Sequence, residues 1–399
     1  MLVYILAPFY FAACFLIQKH LTSWITACCG NKNSKPLNIV VSIILIICAL
    51  LPVIAFFWPQ SPMRRTLSLA GYFWFAVFMY AAGACILLLI IAFIVRKIKK
   101  LPMKAPVFPR PLKIVLGAAV IIIVTVVCVN GYLHTKDIKS TYYNAEIHKE
   151  CETADQLNIV LIADMHMSCG IGSEEVARMV GIINKMDPDI VCIAGDIYSN
   201  DFDDLDDPDA IVAELRKIKS KYGVYACYGN HDVDEPILAG FTFSTSKDHP
   251  TSDSRMDKLL GDSNILLLRD QIVTAGKDIY IVGRRDDHKP GTEDGKRMSA
   301  EELTKGLDLT KPVIFIDHEP TDLENCAKAG ADLVLSGHTH DGQFSPLTLT
   351  VKYVWKHGMG EKDYGDMTAF VTSGAGYFGP AVRIGSDSEI VKITTTFKP

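Results

Sequence analysis

The chain has 399 residues, 49% of them hydrophobic, and a formal net charge of −5 at pH 7. The charge is uneven, because residues 1–150 carry 15 Lys and Arg against 3 Asp and Glu, whereas the remaining residues carry 25 against 42. The acidic part repels long polyanions, so no nucleic-acid partner is expected. A basic, apolar front part joined to an acidic rear part is typical of a membrane anchor that bears a globular domain.

Four stretches without charged residues predict helices that span the lipid bilayer: residues 1–18, 36–63, 66–95 and 114–135. Each approaches or exceeds the roughly 18–20 apolar residues needed to cross a bilayer. The first stretch lacks the basic region of a signal peptide, so it is predicted to be a retained helix. Because the spans contain no charged residue, residues 1–135 are expected to act only as a four-helix transmembrane anchor.

The loops between the predicted spans indicate their orientation. Residues 19–35 and 96–113 contain three and seven Lys or Arg respectively. Basic loops stay on the cytoplasmic side, so the domain after Leu133 is predicted to lie on the extracytoplasmic side of the cell membrane. The alternative is that one stretch does not span, which would place the domain inside. The five cysteines after residue 150 favour that alternative, because they form no C-x-x-C pair and reduced thiols are unusual in an external domain.

Residues 136–156 are predicted to be a linker, and residues 157–399 alternate apolar runs with helical patterns. Such alternation is typical of an α/β domain with a largely covered sheet. Predicted strands cover 157–163, 189–194, 223–228, 264–268, 279–283, 312–316, 332–335, 368–372 and 389–395, and predicted helices cover 174–185, 211–219, 300–307 and 322–329.

Five short clusters of possible metal ligands follow the predicted strands of this domain. Ligands in open α/β sheets gather beyond the carboxyl ends of strands. Taken singly, each cluster could be a turn, a helix cap or a hydrogen-bonded core histidine. Taken together, seven ligands exceed what one tetrahedral ion needs and suit two ions that share a carboxylate, a device for hydrolysing phosphate esters. The clusters are Asp164 and His166 in Ala-Asp-Met-His, Asp196 in Gly-Asp, Asn230 in Gly-Asn-His-Asp, His318, and His338 with His340 in Gly-His-Thr-His.

This ordered set of motifs resembles the calcineurin-like metallophosphoesterase family over about residues 157–397. The four predicted spans and the continuation Asp341-Gly342-Gln343 look like its membrane-attached bacterial branch, where glycine is more usual at position 341. The resemblance implies a four-layer α/β/β/α sandwich with the metals at one edge of its two sheets.

The resemblance also implies a role for each ligand. Asp164, His166 and His340 would bind the first ion, Asn230, His318 and His338 would bind the second, and Asp196 would bridge them. Ligands without thiolate suit Mn, Fe, Zn or Co, and the residues do not separate these metals. Water between two such ions would lose a proton near neutral pH and attack phosphorus in line with the leaving group.

Five further residues are candidates outside the ligand set. His231 is not needed as a ligand, and it could protonate the leaving alkoxide or stabilise charge on the phosphate. Asp232 could orient the His231 ring or cap the loop. Arg284, Arg285 and Arg383, the last after the glycine-rich run 374–380, are candidates to contact the substrate. The alternatives are a solvent-exposed Arg pair and a tight turn.

The leading interpretation is a membrane-anchored phosphohydrolase with two metals. Its partners would be the lipid bilayer and a phosphoester that is lipid-linked or part of the cell envelope. A phosphodiester is favoured over a phosphomonoester. The first rival is a non-catalytic membrane sensor that binds metal, and the second is a transporter with a regulatory domain. The charge-free spans disfavour the transporter. His231 favours the enzyme, because a degenerate site would be free to lose a residue that is not a ligand.

Overall fold

The computed structural model describes residues 2–103, 105–199, 201–235, 237–238, 241–242, 250–292 and 295–398. Lys104, one of the basic residues of the second loop, lies outside the described residues. The chain divides into two compact units. Residues up to Gly131 make up most of the first, the helical unit, and residues from Tyr132 onward make up most of the second, the α/β unit.

Four long helices begin the chain: α1 (Leu2–Cys29), α2 (Asn31–Phe57), α3 (Pro62–Ile98) and α4 (Arg110–His134). All four are long and apolar enough to cross a membrane, which confirms the prediction of four long apolar helices. Most of their apolar side chains face outward, and Ile43, Phe93 and Ile122 are all more than half exposed. Large apolar surfaces of this kind are unfavourable in water and suit contact with lipid tails.

Local signals explain where these helices start and stop. Ser61 caps α3 through its side chain and Pro62 occupies the first turn, where its missing N–H is not needed. Arg96 and Lys97 lie in the last turn of α3, where positive charge is favoured by the helix dipole. Helix α1 continues through Lys19, beyond the first uncharged stretch, and ends at Cys29.

The later elements include a counterpart for every predicted strand and helix after residue 157. The helices are α5 (Ser173–Lys185), α6 (Pro208–Leu215), α7 (Ser254–Asp262), α8 (Ala300–Thr304), α9 (Leu323–Lys328) and α10 (Val351–Val354). The strands are β1 (Ile138–Ile147), β2 (Gln156–Ile162), β3 (Ile190–Ala194), β4 (Val224–Cys227), β5 (Ile237–Leu238), β6 (Phe241–Thr242), β7 (Leu266–Leu267), β8 (Gln271–Ala275), β9 (Ile279–Gly283), β10 (Val313–Ile316), β11 (Leu333–Ser336), β12 (Gly360–Tyr364), β13 (Met367–Val371) and β14 (Ser388–Phe397).

The strands of the α/β unit form two six-stranded sheets. The first has the order β1-β14-β2-β3-β4-β7 and the second has the order β12-β13-β11-β10-β9-β8. The neighbours β2, β3, β4 and β7 run parallel, and so do β9, β10, β11 and β13. Pairs β14–β2, β12–β13 and β8–β9 are antiparallel. Both sheets are therefore mixed, and their central strands have the parallel arrangement that the ligand clusters require.

Three hydrophobic cores lie between the four layers of this unit. Successive side chains of a strand point to opposite faces. On β2, Ile159 and Leu161 therefore face the second sheet, where they share a core with Ile314. Val160 and Ile162 face the opposite way, into the core that holds α5, α6 and α7. A third core joins the outer face of the second sheet to α8 and α9. The layers follow the order α/β/β/α, which confirms the four-layer sandwich.

The structure differs from the sequence prediction over the linker. Residues 138–147 form β1, which pairs in parallel with β14 from Ile138 opposite Ser388 to Ile147 opposite Phe397. The strand lies at the edge of the first sheet, so most of its side chains are wholly or partly exposed and its sequence is rich in polar residues. Such a strand lacks the apolar run by which a central strand is recognised.

The position of β1 predicts where a stable fragment must begin. A fragment that starts at residue 151 loses β1 and the fully buried Ile147, whereas one that starts at residue 136 keeps both. Burying one Ile contributes about 1.5–3 kcal/mol, and each kcal/mol shifts the melting temperature of a domain of this size by about 2–4 °C. We expect the shorter fragment to melt at least about 5 °C lower in thermal denaturation. Equal melting temperatures would show that β1 adds nothing to stability.

Candidate metal centre

The seven candidate ligands all follow the carboxyl ends of parallel strands. Three of these strands, β2, β3 and β4, belong to the first sheet, and two, β10 and β11, belong to the second. Because parallel strands end at a common edge, the loops that follow them meet. The ligands follow in the order Asp164 and His166 after β2, Asp196 after β3, Asn230 after β4, His318 after β10, and His338 and His340 after β11.

Asp164, His166 and His340 form the first group, and their ligand atoms lie within 4.8 Å of one another. The His166 and His340 Nε2 atoms are 3.0 Å apart, and His340 Nε2 is 3.4 Å from Asp164 Oδ1. The three side chains are buried. Two imidazole nitrogens facing each other beside a buried carboxylate could hold a cation.

Asp196, His318 and His338 form the second group, and their ligand atoms also lie within 4.8 Å of one another. His318 Nε2 lies 3.2 Å from Asp196 Oδ2. Asn230 joins the group, because its Oδ1 lies 2.9 Å from His338 Nδ1 and 3.2 Å from His318 Nε2. One carboxylate, one amide oxygen and two imidazoles again make a set of oxygen and nitrogen ligands without thiolate.

Asp196 lies between the two groups. Its Oδ2 is 3.2 Å from His318 Nε2 in the second group and 3.7 Å from His166 Nε2 in the first. Its Oδ1 accepts a hydrogen bond from the His231 backbone N–H at 2.8 Å. This carboxylate is therefore the one residue within reach of both groups among the described ligands.

Hydrogen bonds on the far side of two rings determine which nitrogen faces the centre. His318 Nδ1 lies 2.8 Å from the Ala194 carbonyl oxygen, so Nδ1 carries a proton and Nε2 is the nitrogen that faces the second group. His166 Nδ1 lies 3.3 Å from Ser199 Oγ, which leaves Nε2 for the first group. Such outer partners orient metal-binding imidazoles and raise their basicity.

The glycines of three motifs allow the ligand loops to approach one another. A Cβ at Gly195 would lie 2.6 Å from His318 Nδ1, one at Gly229 would lie 2.3 Å from Asp196 Oδ1, and one at Gly337 would lie 2.5 Å from Asp164 Oδ2. Gly229 thus makes room for a ligand from the neighbouring strand, and Gly195 and Gly337 each make room for a ligand from the other sheet.

The backbone of the ligand loops is strained. Five of the seven candidate ligands have φ between 48° and 72°, in the left-handed region. Non-glycine residues there cost on the order of 1–3 kcal/mol each and cluster at functional sites. Backbone hydrogen bonds from Asp164 N to Gly195 O and from His166 N to Asp196 O, both 3.0 Å, hold two of these loops together. Asp341, directly after His340, also has φ 46°.

Burial controls the protonation of the ligands. Desolvation raises the pKa of Asp164 to about 7 and lowers the pKa values of His166 to about 4 and of His338 to about 3. Burial also opposes charge on Asp196, but the neighbouring His318 and His231 outweigh it and hold the Asp196 pKa well below its usual range. The rings of His166 and His338 are therefore neutral near pH 7, which is the form that binds metal.

His231 lies beside both groups without being one of their ligands. Its ring centroid is 5.5 Å from that of His166 and 4.1 Å from that of Phe378, at an angle of 30° to the Phe378 plane. Desolvation lowers the His231 pKa to about 3. Phe378 was not recognised in the sequence analysis, because only the folded chain shows which ring it contacts.

Asp232 caps the loop and does not orient the His231 ring. Its Oδ1 accepts the Tyr198 backbone N–H and its Oδ2 accepts the Gly229 backbone N–H, both at 2.8 Å. The carboxyl is fully buried. Asp232 therefore joins the loop after β3 to the loop after β4, which carry Asp196 and Asn230.

Two of the three candidate arginines are turned into the protein, contrary to the expectation that they contact a substrate phosphate. Arg284 is 1% exposed and pairs with Asp317 at 2.8 Å and Asp322 at 3.0 Å. Arg383 is also 1% exposed. It donates to the Ser373, Gly376 and Asp387 carbonyl oxygens at 2.7–2.8 Å. These partners are distant in sequence or are backbone atoms, so no local pattern reveals them.

Arg285 is only partly buried. Its Nη1 donates to the Pro290 carbonyl oxygen at 3.0 Å, and its Nε lies 3.6 Å from Asp270 Oδ2. A role for Arg285 in substrate binding stays a prediction.

The glycine-rich run lies against the first group. Ala375 N donates to Ala163 O at 2.9 Å and Gly376 N donates to Asp164 O at 2.8 Å, so the run pairs with the loop after β2. Gln343 holds the Phe378 backbone through two hydrogen bonds of 2.8 and 2.9 Å. The run is therefore more than a tight turn, because it positions Phe378 against His231.

Glu319 is a further residue that the sequence analysis missed. It follows His318, is almost fully buried, and places Oε1 3.9 Å from His338 Nδ1. Its Oε2 lies 2.5 Å from His288 Nδ1. Its place directly after a candidate ligand was the available signal.

A four-layer sandwich with metal-type ligands at one edge of its two sheets defines the class of metal-dependent phosphoesterases. Comparison with known families agrees, since residues 157–342 match the calcineurin-like phosphoesterase family. Residues 157–342 therefore form a calcineurin-like metallophosphoesterase domain, and similar proteins in other organisms are named metallophosphoesterases.

Relatives with this domain occur in bacteria and animals. A Helicobacter pylori (strain J99) protein named "Uncharacterized metallophosphoesterase" is 29% identical over 238 residues, 59% of this chain and 58% of that protein. A Campylobacter jejuni metallophosphoesterase is 29% identical over 267 residues, 66% of this chain and 64% of its own. A Danio rerio "Transmembrane protein with metallophosphoesterase domain" is 29% identical over 255 residues, 62% of this chain and 55% of its own. The match spans less than two thirds of the length of each of these three relatives.

The glycine contacts predict that one added methyl group disrupts metal binding. In Gly229→Ala the new Cβ meets Asp196 Oδ1 and displaces that carboxylate. Disturbing the support of a ligand typically lowers metal affinity about 10–100-fold, and we expect a loss of that size by elemental analysis and metal titration. Gly181→Ala is the matched control, because a Cβ at this position on α5 meets nothing within 4 Å. Equal metal binding by the two variants would contradict the steric argument.

Proposed function

We propose that the protein is a membrane-anchored phosphohydrolase that uses two divalent metal ions and acts on phosphodiesters. The observation that carries this proposal is the place of Asp196, whose Oδ2 lies 3.2 Å from His318 Nε2 and 3.7 Å from His166 Nε2. A shared carboxylate between two ligand groups suits a pair of ions. The ligand set fits Mn, Fe, Zn or Co, because it combines carboxylates, an amide and neutral imidazoles without thiolate.

The proposed chemistry divides between the ions and the protein. When bound, two divalent ions activate water as a nucleophile and neutralise charge on the phosphate. Asp164, His166 and His340 hold the first ion, and Asn230, His318 and His338 hold the second. Because Arg284 and Arg383 are committed to interior contacts, neutralising the phosphate depends mainly on the ions.

His231 is proposed to act on the leaving group. Its backbone N–H is bonded to Asp196 at 2.8 Å, so the residue is held at the centre without its ring serving as a ligand. Packing against Phe378 restricts the ring and keeps it aligned. Burial leaves the ring neutral, and a neutral ring can stabilise phosphate charge through its N–H. An anionic phosphate beside the ring would raise the His231 pKa, and this would allow proton donation to the departing alkoxide.

The substrate is proposed to be a lipid-linked or cell-envelope phosphoester. The four apolar helices support this choice, because they would hold the α/β unit at a membrane. The charge of −17 after residue 150 disfavours a nucleic acid. The choice of a phosphodiester over a phosphomonoester rests on analogy with other phosphoesterases.

Two variants should distinguish the loss of turnover from the loss of bound metal. We expect the full chain supplied with Mn²⁺ to hydrolyse bis-p-nitrophenyl phosphate. His231→Ala should keep its bound metal and lose about 10²–10⁴ in kcat, the usual contribution of a general acid. Asp196→Asn should lose both metal and activity, because the groups no longer share a carboxylate.

Glu361→Gln is the control for Asp196→Asn, because it makes the same carboxylate-to-amide change on an exposed residue of the edge strand β12. If His231→Ala lost metal and activity in equal measure, the proposed division of labour would be wrong. Two bound metals with no turnover on any phosphoester would favour the non-catalytic sensor.

We also propose that the α/β unit lies on the extracytoplasmic side of the cell membrane. The support is the excess of Lys and Arg in residues 19–35 and 96–113, which would keep both loops in the cytoplasm. Protease added to intact cells should then digest the unit, with permeabilised cells as the control. Digestion only after permeabilisation would place the unit inside.

A further inference from the structure

The helical unit contains a partly open cavity of about 510 Å³, which is lined by residues of α1, α2, α3 and α4 and by residues 106–108. This volume falls within the roughly 300–1,000 Å³ of ligand pockets. Its wall is mainly aliphatic and aromatic, with Trp74, Leu88 and Val120 as examples. Such a wall suits a hydrocarbon chain.

One end of the cavity is basic. Lys19, His20 and Ser23 of α1 and Lys113 of α4 line it there. Lys19 and Ser23 are four residues apart and share one face of α1. Lys113 Nζ donates to Ser23 Oγ, so the second lysine belongs to the same end. Two ammonium groups, an imidazole and a hydroxyl are the groups that bind a phosphate.

The basic end is held in shape by contacts between α1 and α4. Trp24 Nε1 donates to the Ile114 carbonyl oxygen at 2.9 Å. The Trp24 indole lies against Gly117, where a Cβ would lie 2.0 Å from Trp24 Cδ1. Arg110 Nε donates to the Ala27 carbonyl oxygen at 2.7 Å. The basic end is therefore built from side chains with defined partners.

The charges at this end have no acidic counterpart in the same helices. Residues 1–136 contain no Asp or Glu. A cation beside an apolar cavity is stabilised by an anion whose apolar part can fill the cavity. An anionic lipid has both parts. Basic pockets between transmembrane helices on the cytoplasmic side bind lipid head groups in this way.

We propose that the helical unit binds one anionic phospholipid, with its phosphate at Lys19 and Lys113 and an acyl chain in the cavity. The helices are then a lipid-binding element as well as an anchor. This proposal is independent of the phosphohydrolase proposal, because none of the groups that line the cavity is a candidate metal ligand.

The test uses the purified full chain in phosphatidylcholine nanodiscs and in detergent, with phosphatidylglycerol as the probe and native mass spectrometry as the measurement. We expect one phosphatidylglycerol per chain, bound at least tenfold more tightly than phosphatidylcholine. The double variant Lys19→Gln, Lys113→Gln should lose at least tenfold in affinity, and glutamine can keep the hydrogen bond to Ser23. Val120→Trp fills the cavity with both lysines intact and should also abolish binding.

Matched controls change the same residue types outside the cavity. Lys97→Gln, Lys99→Gln removes two basic residues at the C-terminal end of α3 that do not line the cavity. Val126→Trp adds bulk to an outward-facing position. Both should bind like the unmodified chain. Equal weakening by both lysine pairs, or undiminished binding by Val120→Trp, would overturn the proposal. Binding of inorganic phosphate as tight as that of the lipid would overturn it too, because the acyl chain would then contribute nothing.

Discussion

The candidate centre depends on how closely loops from two sheets approach the Asp196 carboxylate. His318 reaches it from the second sheet, with Nε2 3.2 Å from Oδ2, and the His231 backbone reaches Oδ1 from the first sheet at 2.8 Å. Neither approach would fit if Gly229 or Gly195 carried a side chain. The packing of one sheet on the other is therefore the condition for the centre, since ligands from either sheet alone form an incomplete set.

The rigidity of the surrounding sandwich supports strained ligand loops. Most of the candidate ligands have left-handed backbone, which isolated loops would leave for a lower-energy conformation. Here the strands before them are fully buried on both faces, and hydrogen bonds such as Asp164 N to Gly195 O connect one loop to the next. Asp232 adds a cap between the loops after β3 and β4. Core stability and ligand geometry are linked in this way.

Most of the centre could be predicted from the sequence, because each ligand sits in a short motif after an apolar run. In the two six-stranded sheets, the strands that were missed are β1, β8 and β12. All three lie at sheet edges, where exposure permits a polar sequence such as Gly-Glu-Lys-Asp-Tyr. Arg284 was misjudged for a different reason, since its partner Asp317 is 33 positions away and only folding brings the charges together. The contact of Phe378 with His231 likewise joins distant positions.

The burial of two arginines has a consequence for the protein in its cell. Many phosphate-binding proteins retain affinity for anions without metal because guanidinium groups line their pockets, whereas Arg284 and Arg383 are unavailable for that purpose. Substrate capture by the proposed centre would then follow its metal occupancy. When transition metals are scarce, affinity for the substrate and turnover would fall together. The supply of those metals inside the cell or in its environment would then limit the rate of the reaction.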